Sequence, residues 1–209
     1  MALAGATGLV GRAVLEGLLA DESIAAVHAL GRREPGVAHP KLKPHVSDFA
    51  GLSPLPPLDE VYLALGTTIK DAGSQAAFRA VDFDVNLAVA RAALDAGARR
   101  AGLVSAMGAD AKSRVFYNRV KGETEEALAL LPFEGLVIAR PSLLVGDREA
   151  LGQPARTGEK VATVLSGILG PLVPANYRPI AAADVARALL ARVPAARGRV
   201  VLLSGEMRG

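Results

Sequence analysis

The chain has 209 residues, of which 51% are hydrophobic and 22% charged, with a net charge of +3. That length suits one domain with one good core. With no Trp and 4% aromatic residues it lacks the stacking surface of a base-binding protein, and with no Cys it excludes disulfides, thiolate metal sites and cysteine nucleophiles.

His28, His39 and His45 show no ligand spacing, so no metal site is expected. No apolar run approaches the ~20 residues that cross a bilayer. Arg12 and Glu16 interrupt the apolar start and no basic stretch precedes it, so it does not read as a signal peptide. These features lead to the expectation of a cytoplasmic protein that takes a small-molecule substrate. Neither nucleic acid nor membrane is expected as a partner, and oligomeric state is not encoded in any readable way.

Short apolar runs alternate with helical stretches, the pattern of a parallel α/β sheet. The expected strands are Ala2–Ala4, Ala25–Leu30, a segment around His45–Val46, Glu60–Leu65, Ala101–Ser105, Gly135–Arg140 and Arg199–Leu203. Helices are expected near Leu9–Ala20, Gln75–Ala96, Tyr117–Leu131 and Ala183–Val193. Val10, Val14 and Leu18 recur every four residues and give the first helix one buried face. Ala96-Gly97 closes the second helix. The first strand is short, and either the chain starts abruptly or its natural start lies upstream. Residues 1–209 read as one domain, with 146–179 as a small substrate-covering lobe that carries a helical signal at Val161–Leu169.

Gly5, Gly8 and Gly11 form GxxGxxG between the first strand and the first helix. A tight turn, close approach to a pyrophosphate and a helix N-terminus are what that spacing supplies. Gly5, Ala6, Thr7, Gly8, Leu9, Val10 and Gly11 are therefore expected to hold a dinucleotide. The second strand ends in Gly31, Arg32 and Arg33, where an NAD site usually has a carboxylate. Two guanidinium groups there suit a 2′-phosphate, so NADP is expected rather than NAD. Asp48 and Phe49 follow the third strand, and Leu65, Gly66 and Thr67 follow the fourth, at the strand edge where open sheets bind ligands.

Tyr117 and Lys121 stand four residues apart on an expected helix and share one face. An ammonium beside a phenol favours the phenolate, and a phenol so tuned exchanges a proton with a substrate oxygen while a nicotinamide exchanges hydride. Ser105, at the end of the fifth strand, is placed to hold that oxygen.

The ordered segments GATGLVGRAVL, LGTTIKDAGS, VDFDVNLAVARAALDAGARR, LVSAMGAD, FYNRVKGETEEAL and ARPSLLVGDRE resemble the atypical branch of the short-chain dehydrogenase/reductase superfamily. Within it, the nearest likeness is to the Tat-interacting oxidoreductase-like proteins and to bacterial proteins labelled nucleoside-diphosphate-sugar epimerases. The resemblance implies a Rossmann-like, doubly wound fold that binds NADP. It implies Ser105, Tyr117 and Lys121 as the catalytic group, with Tyr117 as acid/base and Lys121 also holding the nicotinamide ribose. It places Pro141 and Ser142 beside the nicotinamide. Two departures stand out. Ser105-Ala106 replaces the pair of serines common in relatives, and Asp82 stands where sugar-modifying members tend to have Asn.

Three functions compete at this point. An intact Ser–Tyr–Lys set favours an NADP-dependent oxidoreductase acting on a small carbonyl or alcohol. A non-catalytic NADP-binding redox sensor acting through a protein partner is the alternative. A serine hydrolase is disfavoured because the chain has no GxSxG.

Overall fold

The structure is a computed structural model, and it describes residues 1–49, 51–146 and 174–208. Its central strands are near-continuous buried apolar runs, so both faces of the sheet demand a cover, and helices supply one on each side. In chain order the strands are β1 (Ala2–Ala4), β2 (Val27–Gly31), β3 (Leu42–Val46), β4 (Glu60–Leu63), β5 (Arg100–Val104), β6 (Gly135–Arg140), β7 (Leu144–Val145), β8 (Ile180–Ala181) and β9 (Gly198–Leu203). The helices are α1 (Leu9–Ala20), α2 (Ile69–Ala72), α3 (Gln75–Arg79), α4 (Asn86–Asp95), α5 (Phe116–Ala129) and α6 (Ala182–Arg192).

Seven strands form one sheet in the order β3-β2-β1-β4-β5-β6-β9, every neighbouring pair parallel. This is the doubly wound Rossmann arrangement, and its order reverses between β1 and β4. On one face Val10, Val14, Leu15 and Leu18 of α1 join Val185 and Leu189 of α6 over Leu3, Val27 and Val137. On the other, Val89, Ala90 and Ala93 of α4 and Leu128 of α5 cover Ala4, Val61, Leu63 and Ile138.

The expected elements form, with three physical differences. β3 begins at Leu42 despite Pro44, because β3 is the sheet edge and a missing ladder donor is tolerated there. The expected helix Gln75–Ala96 is continuous but changes winding: α3 runs into a π-helical segment, Ala80–Val85, and then into α4. Gly97, at φ +94°, ends it in the left-handed conformation. The pair β7–β8 joins the two flanks of the expected lobe, Leu144 opposite Ile180. The helical signal at Val161–Leu169, and most of that lobe, lie outside the described residues.

Candidate functional site

Three strand ends converge on Gly5. Its N–H donates to the Leu30 carbonyl (3.2 Å), and the Ala64 N–H donates to the Ala4 carbonyl (2.9 Å). Gly5 has φ +90°, and a Cβ there would stand 2.5 Å from the Ala64 oxygen. A Cβ on Gly11 would stand 2.0 Å from the Gly5 oxygen. The protein's own packing thus dictates both glycines. Gly8 differs, since its Cβ would meet Gly5 oxygen at an ordinary 3.5 Å. Gly8 is the N-cap of α1, and it leaves the helix start with no side-chain cap and no acidic residue in the first turn. The first amides of α1, from Leu9, Val10 and Gly11, therefore have no side-chain cap from residue 8, and the helix sets its positive terminus at the sheet's switch point. Ala6 and Thr7 complete the turn. An anionic pyrophosphate fits that terminus, and a side chain at residue 8 would intrude on it.

Arg32 and Arg33 lie exposed at the end of β2, and no ion pair engages either among the described residues. Arg12 of α1 pins the following loop by donating from Nη1 to the Pro35 carbonyl (2.9 Å). Beyond β3, Asp48 lines a pocket of about 440 Å³ together with Leu30, Val46, Leu52 and Leu55. Phe49 turns the chain there at φ +67°, a conformation that bulky side chains seldom adopt. Its N–H donates to Ser47 Oγ (3.0 Å).

At the centre of the sheet edge, Lys121 Nζ pairs with Asp82 Oδ1 at 2.7 Å, both side chains almost fully buried. The Thr67 N–H donates to the other oxygen, Asp82 Oδ2, at 3.0 Å. Gly66 lies over the pair, and a Cβ on it would stand 3.6 Å from Asp82 Oδ1 and 3.7 Å from Lys121 Nζ. Leu65 connects this turn to Gly5, whose Cβ would also meet the Leu65 nitrogen at 2.8 Å. Burial alone would drive Lys121 towards its neutral amine. Asp82 first, then Tyr117 and Glu125, outweigh that, and its pKa rises above the ordinary lysine value. Tyr117 stands one turn earlier on α5, half-buried, its ring tilted against Phe78 with centroids 5.3 Å apart.

The π-helical winding explains how Asp82 reaches this position. A wide turn shifts the backbone pairing and frees a carbonyl. The Asp82 carbonyl accepts instead from Asn86 Nδ2 (3.0 Å) and Thr124 Oγ1 (3.1 Å).

Ser105 is placed differently from its expected partner. Its hydroxyl donates to Glu125 Oε1 at 2.5 Å, inside the core. Glu125, fully buried, also receives Arg140 through Nε (2.9 Å) and Nη2 (2.6 Å), and Arg199 through Nη2 (3.1 Å). After β6, the Pro141 carbonyl accepts from the Met107 N–H (2.9 Å), and Ser142 Oγ donates to the Arg178 carbonyl (2.5 Å).

The expected residues Gly66, Thr67 and Lys121 thus come together with Tyr117 one turn away, whereas Ser105 is directed at Glu125. Sequence reasoning missed Glu125 and the part played by Asp82. A signal existed: Tyr117, Lys121 and Glu125 repeat every four residues along the face of α5 that also carries Val120, Thr124 and Leu128, all buried. Among the described residues no cluster of three or more His, Cys, Asp or Glu could hold a metal, and no helix is long and apolar enough to cross a membrane.

No protein-family model matches the chain. A relative from Emericella nidulans, named "Protein fmp52, mitochondrial", is 40% identical over 180 residues, covering 81% of this chain and 76% of its own. The solved structure of MoeE5 with UDP-glucose and NAD superposes with a TM-score of 0.71 at 17% identity, over 96% of this chain and 74% of that one. An oxidoreductase of the short-chain dehydrogenase/reductase family from Burkholderia thailandensis gives 0.67 at 17% identity, over 100% and 92%. The expectation of a cytoplasmic protein is corrected by the first comparison. Relatives at this level of identity are named mitochondrial, which points to that compartment. The reading misled because lack of a bilayer-length apolar run and of a signal-peptide pattern does not separate one interior compartment from another. The chain belongs to the Fmp52 family, on the Rossmann fold of the short-chain dehydrogenases/reductases.

Proposed function

We propose that the protein is an NADP-dependent oxidoreductase acting on a small carbonyl or alcohol, with Tyr117 as its acid/base. The observation that carries this reading is the Thr67–Asp82–Lys121 link. It ties the helix of Tyr117 to the turn after β4, which itself abuts the glycine turn at Gly5. A dinucleotide site and a proton donor are thereby built into one continuous edge of the sheet.

On this reading the uncapped start of α1 takes the pyrophosphate. Arg32 and Arg33 take the 2′-phosphate, and the pocket beside Asp48 and Phe49 takes the adenine. Leu65, Gly66, Pro141 and Ser142 border the nicotinamide end. The cofactor supplies or accepts hydride when bound. Lys121 stays charged in its ion pair with Asp82, and its ammonium carries N–H donors for a ribose hydroxyl and the Tyr117 phenol. Tyr117 holds the proton that meets the substrate oxygen. Ser105 has its hydrogen on Glu125 and so has none to give a substrate carbonyl, which leaves proton donation to that oxygen with Tyr117.

The same Ser105–Glu125 bond, with Ala106 next in the chain, favours a second reading in which the site binds NADP as a sensor without turnover. NADPH oxidation measured over a panel of aldehydes, ketones and quinones separates the two. Turnover is expected, with Tyr117→Phe lowering it by about 10²-fold or more, the usual range for general acid catalysis, while NADPH binding persists. No turnover with any member of the panel, or full turnover in Tyr117→Phe, overturns the assignment.

A further inference from the structure

We propose that Asp82 is the positioning residue of this site, a charged clamp that fixes the Lys121 ammonium against the Gly66–Thr67 turn. The proposal rests on the reading of Lys121 as the residue that holds the ribose and Tyr117. One carboxylate oxygen is in ion-pair contact with Lys121 Nζ (2.7 Å), and the other accepts from the Thr67 N–H (3.0 Å). Asp82 has no exposed surface, and its own backbone is held from two sides, by Asn86 of α4 and Thr124 of α5. The π-helical turn, the strand-edge turn and α5 therefore meet at one carboxylate.

Charge is essential to that geometry. An amide in the same place keeps one oxygen for Lys121 but turns its NH₂ towards the Thr67 N–H, donor against donor. If it turns the other way, the NH₂ faces the ammonium. No orientation of Asn satisfies both partners, so the neutral residue expected in sugar-modifying relatives cannot reproduce the clamp. The charged and titratable groups that face Lys121 are Asp82 from the π-helical segment, with Tyr117 and Glu125 from α5. Asp82 is the only one of these in ion-pair contact with Nζ. Loss of its charge leaves a buried ammonium whose desolvation favours the neutral amine.

The test uses the full chain and two readouts. The 13Cε shift of lysine-labelled protein, assigned through Lys121→Met and followed across pH, reports the titration of Lys121 without any cofactor or reagent access. NADPH affinity across the same pH range reports its consequence. In Asp82→Asn the Lys121 titration should move down by at least about one pH unit. NADPH affinity should fall by about tenfold or more at high pH, where wild type still binds. Asp82→Glu should keep the titration close to wild type. An unchanged Lys121 titration in Asp82→Asn overturns the proposal even if NADPH binds. Failure of wild type to bind NADPH refutes the oxidoreductase reading, and the Lys121 titration still decides the clamp. Should Asp82→Asn not fold, the comparison becomes Lys121→Met against the double variant Asp82→Asn/Lys121→Met. The double variant should be the more stable, and equal or lower stability overturns the pairing.

Discussion

Gly11→Ala sets two effects of opposite sign against each other. Gly11 lies inside α1, where replacing glycine by alanine ordinarily stabilises a helix by about 1 kcal/mol. Here the new Cβ would stand 2.0 Å from the Gly5 oxygen and 2.8 Å from its carbon. Both are backbone atoms of the tight turn, so no side-chain rotation relieves the overlap. The turn or the helix has to move, and overpacking of this kind costs about 1–3 kcal/mol, occasionally more. With ordinary contact beginning at 3.4 Å, the overlap at 2.0 Å is deep enough to place the cost at the upper end, so the net effect is a loss of about 1–2 kcal/mol. For a domain of this size that is a fall in Tm of roughly 2–8 °C by calorimetry. Gly17→Ala, six residues along the same helix, is the control. Its Cβ would meet only the Leu190 Cδ1 methyl, at 2.3 Å, and a leucine relieves that by changing rotamer at about 0.5–1.5 kcal/mol. Gly17→Ala should be near neutral. A Gly11→Ala protein at least as stable as wild type would refute the close packing of α1 on the Gly5 turn.

Further outcomes follow from the same structure. Glu125→Gln puts a neutral amide against the partly exposed Arg140 and Arg199 and should destabilise by about 1.5–3 kcal/mol in urea unfolding; unchanged stability would argue against the network. His28 is held below its ordinary pKa by burial first, then by His45, the amino terminus and Lys43, and its Nδ1 lies 2.9 Å from His45 Nε2. The unfolded chain therefore binds the proton more readily, so stability is present above the unfolded pKa of about 6.5 and is lost as pH falls below it. His45→Asn should flatten that acid limb of a Tm-versus-pH profile, and an unchanged limb would argue against the pair. Arg32→Ala should weaken NADPH binding by about tenfold or more and NADH binding much less, with added salt narrowing the gap; equal losses for the two cofactors would make the arginines ordinary surface charge.

Much of the fold was legible because its signals are local. The four-residue recurrence of Val10, Val14 and Leu18 predicts α1 over Leu9–Ala20, and the structure gives the same bounds. The apolar run Gly135–Arg140 is β6 to the residue. Strands defined by tertiary pairing are less readable. β3 contains Pro44 and alternates polar with apolar residues, so only its last two residues stand out, and an edge position is what permits the rest. The π-helical segment has no compositional signature, since Ala80–Val85 reads as ordinary helix. Its effect, the burial of Asp82, depends on Thr124 arriving from α5 as well as on Asn86 four residues on. Ser105 shows the limit from the other side. Its position at the end of β5 was readable, but the direction of its hydroxyl is set by Glu125, 20 residues away.

A dinucleotide lying across the start of α1 is the central requirement of the proposed function, and Gly8→Asp isolates it. Gly8 is extended at φ −83°, and its Cβ has room, so aspartate enters without backbone strain. As an N-cap its carboxylate accepts from the free amides of the first turn and stabilises the helix, typically by a few tenths of a kcal/mol over glycine. Those are the amides, and that is the charge, that a pyrophosphate would need. Calorimetric titration of NADPH into wild type and Gly8→Asp should show one site in wild type and at least about a 10²-fold weaker one in the variant, near 2.7 kcal/mol, with Tm equal or higher. Equal affinity in the two proteins, or no binding to wild type, would contradict the account.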